Sequence, residues 1–331
     1  MWDRYVLDSR TATGYHLSGW REVIERAFGH HAVYFSVRED QGSIQGVLPL
    51  IMLKSRLFGR FLVSMPFLNY GGIDAGEQRV TGLLLEAAAQ EARNLGAAHV
   101  ELRQSQPLPI GWSRKEHKVS MRLSLPKDFQ TLMKSFPSKL RSQIRRPEKE
   151  GMQAKIGGIE LLNDFYDVFA RNMRDLGTPV YGKSFFRSIL TTFPKETAIC
   201  SVLWKGHTVA AGFLYVFREM MEIPWASSDR RHDRFSPNML LYSTALDYAC
   251  RQNCKVFDFG RSTLDSGTYR FKQQWGAQPH QLYWYYWLAD GREVPQLNPD
   301  NPKFKTAIAL WQRLPLPVAN MLGPHIVKYL P

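Results

Sequence analysis

Phe257-Asp-Phe-Gly-Arg-Ser262 and, after a short polar gap, Tyr269-Arg-Phe-Lys-Gln-Gln-Trp-Gly276 decide how this chain folds. The first segment closes a strand, Lys255 to Phe259, in which Asp258 and Gly260 mark the end. A polar turn and a short helix carrying Lys272 follow. At the carboxyl end of a sheet, where α/β proteins bind ligands, this order brings a carboxylate, hydroxyls and an ammonium together. Composition alone leaves a plainer account open, in which Asp258 caps the turn and Lys272 stands in solvent.

Working outward, the pattern upstream of this segment alternates helix and strand. Helices are expected at Ile159 to Asp175 and Lys183 to Thr192, and strands at Ala198 to Leu203, Val209 to Phe217 and Met220 to Ser227. The loop Ser228 to Ser236 leads into a helix, Pro237 to Asn253, with Ser236 as its N-cap and Pro237 at its first position. A final aromatic strand, Gln281 to Leu288, is expected to complete this unit. The first third shows the same order: strands at His31 to Val37, Ile44 to Leu53 and Arg60 to Met65, the loop Pro66 to Gly72, a helix from Glu77 to Leu95 ended by Gly96, and a strand at His99 to Arg103. The two halves share element order and no evident residue identity. Between them lies a basic amphipathic segment, Pro126 to Glu150, in which Pro137 and Pro147 kink and end the helix.

The chain has 331 residues, 44% hydrophobic and 22% charged, enough for two cores of roughly 150 residues each. Its formal charge of +13 attracts phosphate-bearing cofactors, nucleic acid or an anionic membrane face. The cysteines, Cys200, Cys250 and Cys254, lack the paired spacing of a zinc site and read as reduced and buried. No two histidines form a ligand pair at helical spacing, so no metal is expected. The start lacks a secretory signal pattern and no run of about 18 apolar residues occurs, so export and a membrane span are not expected, and the location reads as cytoplasmic.

Several motifs carry a family resemblance. Phe271-Lys-Gln-Gln-Trp-Gly276 looks like the Phe-Lys-x-x-aromatic-Gly element of FemAB-like transferases. Lys139-Leu-Arg-Ser-Gln-Ile-Arg-Arg-Pro-Glu-Lys-Glu-Gly151 is similar to their basic helix before the second GNAT unit. Phe67-Leu-Asn-Tyr-Gly-Gly72 and Ser236-Pro-Asn-Met-Leu-Leu-Tyr242 resemble most the branch found beside bacterial exopolysaccharide and PEP-CTERM/exosortase loci. The resemblance spans about Tyr34 to Leu288. It implies a mixed-sheet α/β fold of two tandem GNAT-like N-acyltransferase domains, 1–125 and 152–290, joined by a basic helix at 126–151 and followed by a helical tail at 291–331. The implied activity is transfer of an acyl or aminoacyl group onto an amine.

In such enzymes the lysine of the Phe-Lys element lies near the acyl carbonyl, which transfers here to Lys272. Amine attack builds an oxyanion, and one preorganised cationic donor lowers that barrier by roughly 3 kcal/mol. Asp258 or Asp229 is the expected acceptor of the amine proton. The donor position reads Arg230-Arg-His-Asp-Arg-Phe-Ser-Pro-Asn238, without the glycines that cradle pyrophosphate in acetyl-CoA-binding relatives. Arg230, Arg231 and Arg234, with Ser236 and Asn238, are the expected donor contacts; the arginines otherwise form a solvated loop. This departure favours aminoacyl-tRNA or an acyl carrier protein over ordinary acetyl-CoA; the expected co-substrate is an acyl-CoA, an acyl carrier protein or an aminoacyl-tRNA, with no tightly bound cofactor.

Arg141 and Arg145 share a helix face able to grip a phosphate-bearing acceptor, the alternative being a solvated face. Arg261 and Ser262 would order the site. Asn69, Tyr70, Tyr181 and Lys183 fall in loops near the expected clefts. Trp225 and Tyr269 either wall an acyl channel or belong to the core. The tail from Lys303 to Leu330 carries Phe304, Ile308, Trp311 and Met321 among cations; it either packs on the second domain or touches a membrane peripherally. Two rivals to an enzyme making amides on a cell-envelope, exopolysaccharide or amino-acid acceptor are a non-catalytic tRNA- or nucleic-acid-binding module that uses the basic helix and a membrane-docked scaffold. No zinc finger, RNP motif or helix-turn-helix appears, and DNA is not an expected partner.

Overall fold

The computed structural model describes residues 1–40, 42–55, 59–294 and 302–330, apart from the side chains of 302–304. The part of the expected tail at 295–301, and the side chain of Phe304, lie outside the described residues. The chain forms two compact units: Met1–Val119 with a strand entering at His280, and Ser120–Pro279 with the tail helices.

In the first unit, α1 (Trp2–Asp8) and α2 (Gly19–Phe28) precede the sheet. β1 (His31–Arg38) and β2 (Ile44–Ser55) pair antiparallel through a turn in which Gly42 adopts φ +86°, a conformation costly for any residue with a Cβ. β2 pairs with β3 (Gly59–Val63) and, at Gly46 and Val47, with the short β4 (Asp74–Ala75). α3 (Gln78–Asn94) crosses to β5 (His99–Gln104), which runs parallel to β3. Leu84, Leu85, Ala88 and Ala92 bury one face of α3 against Leu48, Leu50, Met52, Leu62, Val100 and Leu102. The approach is close: a Cβ on Gly46 would stand 2.5 Å from Val80.

β6 (Ser113–Ser124) changes unit after Val119. The expected basic helix is two helices, α4 (Phe129–Ser135) and α5 (Ser138–Lys149). Asp128 caps the first by accepting from the Thr131 amide at 2.8 Å, and Pro137 separates them. Pro147 sits inside the last turn of α5.

The second unit continues with β7 (Gln153–Gly157), α6 (Leu162–Leu176), α7 (Lys183–Thr192), β8 (Thr197–Trp204), β9 (His207–Phe217) and β10 (Met220–Ser228), then α8 (Pro237–Arg251), β11 (Val256–Thr263) and α9 (Gly267–Gln273). β7 to β10 pair antiparallel in sequence order, and β11 lies parallel to β10 after the α8 crossover. Antiparallel strands, a helix and a parallel strand therefore recur in both units, which is the expected fold class. Phe165, Phe186, Phe213 and Trp225 form its aromatic centre, with neighbouring ring centroids 4.9 to 5.8 Å apart.

One strand lies elsewhere than expected. β12 (Gln278–Leu288) does not complete the second unit; it pairs antiparallel with β5, Tyr283 opposite Gln104 through Leu288 opposite His99. Tyr285 is thereby buried in the first core. Alternation and aromatic content mark a strand but carry no information about its partner. The tail forms α10 (Pro302–Gln312) and α11 (Leu316–Val327), which pack on the second unit: Arg174 donates to the Leu314 carbonyl at 3.2 Å, Ile308 meets Gly177, and Gly323 meets Val180. Among the described residues no helix is long and apolar enough to cross a membrane.

Candidate active site

β10 and β11 hold neighbouring carboxylates, because their parallel register places Glu222 beside Asp258. Both are buried. Asp258 accepts from Ser120 Oγ at 2.6 Å, from the Gly260 amide at 2.8 Å and from Arg122 Nε at 3.1 Å. Its charge is thus matched by a guanidinium and two neutral donors, as a buried carboxylate requires.

Lys272 comes up beneath this strand end. It is 7% exposed, and its Nζ donates to the carbonyls of Gly260 at 2.9 Å and Arg261 at 3.0 Å. Burial lowers its pKa to about 8, against the pull of Asp258 and Glu222, which favours the ammonium. An ammonium has three N–H donors, and these two carbonyls use two of them. Gly260 adopts φ +76°, a conformation that favours glycine where the strand bends toward the lysine. Ser262 Oγ is buried with no hydrogen-bond partner among the described residues, and so is the indole nitrogen of Trp275. Trp275 itself packs against Phe136, Tyr242 and Phe271.

A cavity of about 310 Å³ opens at the amino end of α8. Ser236 and Asn238 line it with Gln143 of α5, Ser228 of β10, Asp233, and Phe271 and Gln274 from α9 and its end. Ser236 is the N-cap residue in a left-handed conformation, φ +57° and ψ +45°, and its side chain makes no cap hydrogen bond. Partial desolvation raises the pKa of Asp233 despite the opposing charge of Arg230, although the residue stays exposed at the cavity's edge. No lysine or arginine lines the cavity.

The other expected site residues are dispersed. Asp229 accepts from Arg231 Nε at 3.0 Å and from its amide at 3.1 Å, with Arg171 at 3.6 Å. Burial opposes its ionisation, but the hydrogen bonds and charge of Arg231, with Arg171, outweigh it and hold the carboxyl below the usual range. Asp229 is therefore a cap and ion-pair partner. Arg230 donates to the Asp175 carbonyl at 3.4 Å, and Arg234 lies 4.5 Å over Phe235. Arg141 donates to the carbonyls of Phe136 at 2.9 Å and Lys134 at 3.3 Å, closing the end of α4, while Arg145 is exposed.

Trp225 is core, and no channel wall, because Phe185, Phe186 and Phe213 surround its ring. Tyr269 is half-buried, its amide capped by Ser266 Oγ at 3.2 Å. Lys183 holds Asn163 at 3.0 Å, and the Tyr181 carbonyl accepts from Tyr166. Asn69 and Tyr70 are buried in the first unit, Tyr70 edge-on to Tyr15 at 5.3 Å. The plain account of Lys272 as a solvated side chain is excluded by its burial.

Glu222, Ser120, Arg122, Gln143 and Asp233 escaped the sequence pattern. A lone glutamate in Met220-Met-Glu-Ile-Pro-Trp225 was the available signal for the first; Ser120 and Arg122 needed the pairing of β6 with β11, and Gln143 and Asp233 the packing of α5 and of the turn before α8. The cysteines are buried and free, and burial raises the Cys200 thiol to about 12 and Cys254 to about 11. Among the described residues no group of three His, Cys, Asp or Glu could hold a metal ion.

Two α/β units of repeated element order, each with antiparallel strands, a helix and a parallel strand, give a fold similar to that of tandem GNAT structures. Residues 134–273 match the family model of the Acetyltransferase (GNAT) domain. No curated protein matches the sequence. Among solved structures the chain is similar to FemX, at 16% identity and a TM-score of 0.68 over 85% of this chain and 94% of that one. It is also similar to L-PGS from Bacillus licheniformis, at 14% identity and 0.55 over 90% and 98%. A tandem GNAT protein from the clavulanic acid biosynthesis pathway matches at 13% and 0.51 over 84% and 95%. At these identities the likeness establishes the fold.

Proposed function

We propose that the second unit forms an amide by moving an acyl or aminoacyl group from an activated donor onto an amine. The observation that carries this reading is the buried Lys272 ammonium, held by two carbonyls with one donor left over, in the segment whose neighbouring residues Phe271 and Gln274 line the cavity. That remaining N–H would stabilise the oxyanion formed when the amine attacks the carbonyl. In a dry site such a donor works at far greater strength than in water.

Asp258 is saturated by Ser120, Arg122 and Gly260, and Asp229 by Arg231, so neither suits the role of base. Asp233 lines the cavity, and its raised pKa suits a group that accepts the amine proton as the new bond forms. The lack of a cation among the residues lining the cavity, and of a glycine-rich turn at the α8 start, supports a donor other than acetyl-CoA, an aminoacyl-tRNA or an acyl carrier protein, with the exposed Arg230 and Arg234 meeting its phosphates outside the cavity. An amine on a cell-envelope or exopolysaccharide precursor is the acceptor that the motifs Phe67–Gly72 and Ser236–Tyr242 support, with Arg145 free to meet its phosphate.

The test incubates wild type, Lys272→Met and Asp233→Asn with charged-tRNA, acyl carrier protein and acyl-CoA pools plus amine acceptors, and reads products by mass spectrometry. Amide product from wild type, lowered about a hundredfold by either substitution in proteins of unchanged melting temperature, supports the reading. Undiminished product from Lys272→Met removes the lysine from the chemistry. No product from wild type with any donor leaves a binding role for the basic surface.

A further inference from the structure

A hollow of about 810 Å³ lies in the first unit, away from every residue assigned above to acyl transfer. Arg60 at the start of β3, Arg93 in the last turn of α3 and Arg292 after β12 stand around it, with Trp287 and Asp290. Its floor is small: Gly59, Gly96, Ala97, Ala98 and Ala289 place no bulky side chain in the space. A Cβ on Gly59 would meet nothing within 4 Å. The backbone there is already satisfied, since Ala98 donates to the Arg60 carbonyl at 2.7 Å and Ala289 to the Ala98 carbonyl at 3.0 Å. Recognition in this hollow therefore falls to side chains.

Those side chains form a consistent set. The Arg93 guanidinium carbon lies 5.2 Å over the Trp287 ring, which sets a guanidinium and an indole together at the hollow. Among the described residues the Arg60 guanidinium donates to the Leu95 carbonyl at a long 3.4 Å, and that of Arg93 to the amide oxygen of Gln90 at 3.3 Å. Among the described residues none of the three arginines makes an ion pair. Three like charges around one hollow repel one another, and an anion bound among them reverses that cost. Guanidiniums match phosphate oxygens in pairs of parallel hydrogen bonds. Aromatic faces and guanidinium planes both stack on nucleobases. The one carboxylate, Asp290, opposes an anion but suits the hydroxyls of a ribose.

We infer that this hollow binds a nucleoside phosphate, free or as one nucleotide of an RNA chain, with its phosphate among Arg60, Arg93 and Arg292, its base on the Arg93–Trp287 pair and its ribose at Asp290. This site is independent of the acyl-transfer reading.

Isothermal titration calorimetry at low salt tests it, with the four ribonucleoside 5′-monophosphates, a six-nucleotide mixed-sequence RNA, adenosine and inorganic phosphate as separate probes. Binding of a monophosphate or of the RNA is expected, about tenfold tighter than adenosine or phosphate alone. The double substitution Arg93→Gln with Arg292→Gln, both exposed positions, should weaken it at least about tenfold without moving the melting temperature. Saturation by a monophosphate identifies a free nucleotide as the source; saturation by RNA alone identifies an RNA chain. The inference falls if neither binds at millimolar concentration, if phosphate alone binds as tightly, or if binding survives the double substitution.

Discussion

Lys272 carries a positive charge into a place where water no longer stabilises it, and that displacement has measurable consequences. Its amine titrates near 10.5 in the unfolded chain and near 8 in the folded one. Between those values the unfolded state holds more protons, so stability rises with pH across that window and the penalty is complete below about pH 8. The melting temperature of wild type should therefore gain on that of Lys272→Met between pH 8 and 10. If the ammonium stabilises the oxyanion, turnover should fall as pH rises through about 8; a rising limb there would instead indicate a neutral amine acting as base. Asp258 belongs to the same scale. Replacing it with Ala removes a carboxylate that the Arg122 guanidinium and the Ser120 hydroxyl both donate to, and urea unfolding should show a loss of about 3 kcal/mol. Both residues were legible from a strand end followed by a lysine-bearing turn. The burial of the lysine was not, because its desolvation comes from the packing of α9 against β11.

Among the elements, the tail helices show how a glycine can decide docking. A Cβ at Gly323 of α11 would lie 2.8 Å from the Val180 amide nitrogen and 3.0 Å from its carbonyl, and backbone cannot move aside cheaply. Gly323→Val should cost about 2 kcal/mol and raise protease sensitivity in α10 and α11, measured by limited proteolysis and thermal melting. Leu310 and Met321 stay more than 60% exposed on these helices, flanked by Lys305, Arg313 and Lys328. Amphipathic spacing made these helices legible. It also predicted the basic segment before the second unit, though Pro137 divides it and Arg141 spends its guanidinium on the carbonyls at the break.

For the whole molecule, the placement of β12 makes the first unit depend on residues near the far end of the chain. Its strand covers β5 and supplies Tyr285 to the first core. A chain ending at Pro279 should therefore expose the edge of β5, lose Tyr285 and aggregate, which size-exclusion chromatography against the full chain would show. Folding of the first unit must also wait for contacts of very long sequence separation, a slow step by chain entropy alone.

Composition, periodicity and turn chemistry determined the elements themselves: the strand–helix–strand order of both units, the α8 start at Pro237, and the strand end that places Asp258 and Lys272 together. These properties are local, written in spacings of two and of three to four residues. Which strand lies beside which, whether Trp225 packs or lines a channel, that Asp229 is spent on Arg231, and that Glu222, Ser120 and Arg122 gather around Asp258 were decided only in the tertiary structure. Pairing and burial arise from residues distant in sequence, and no local pattern records them.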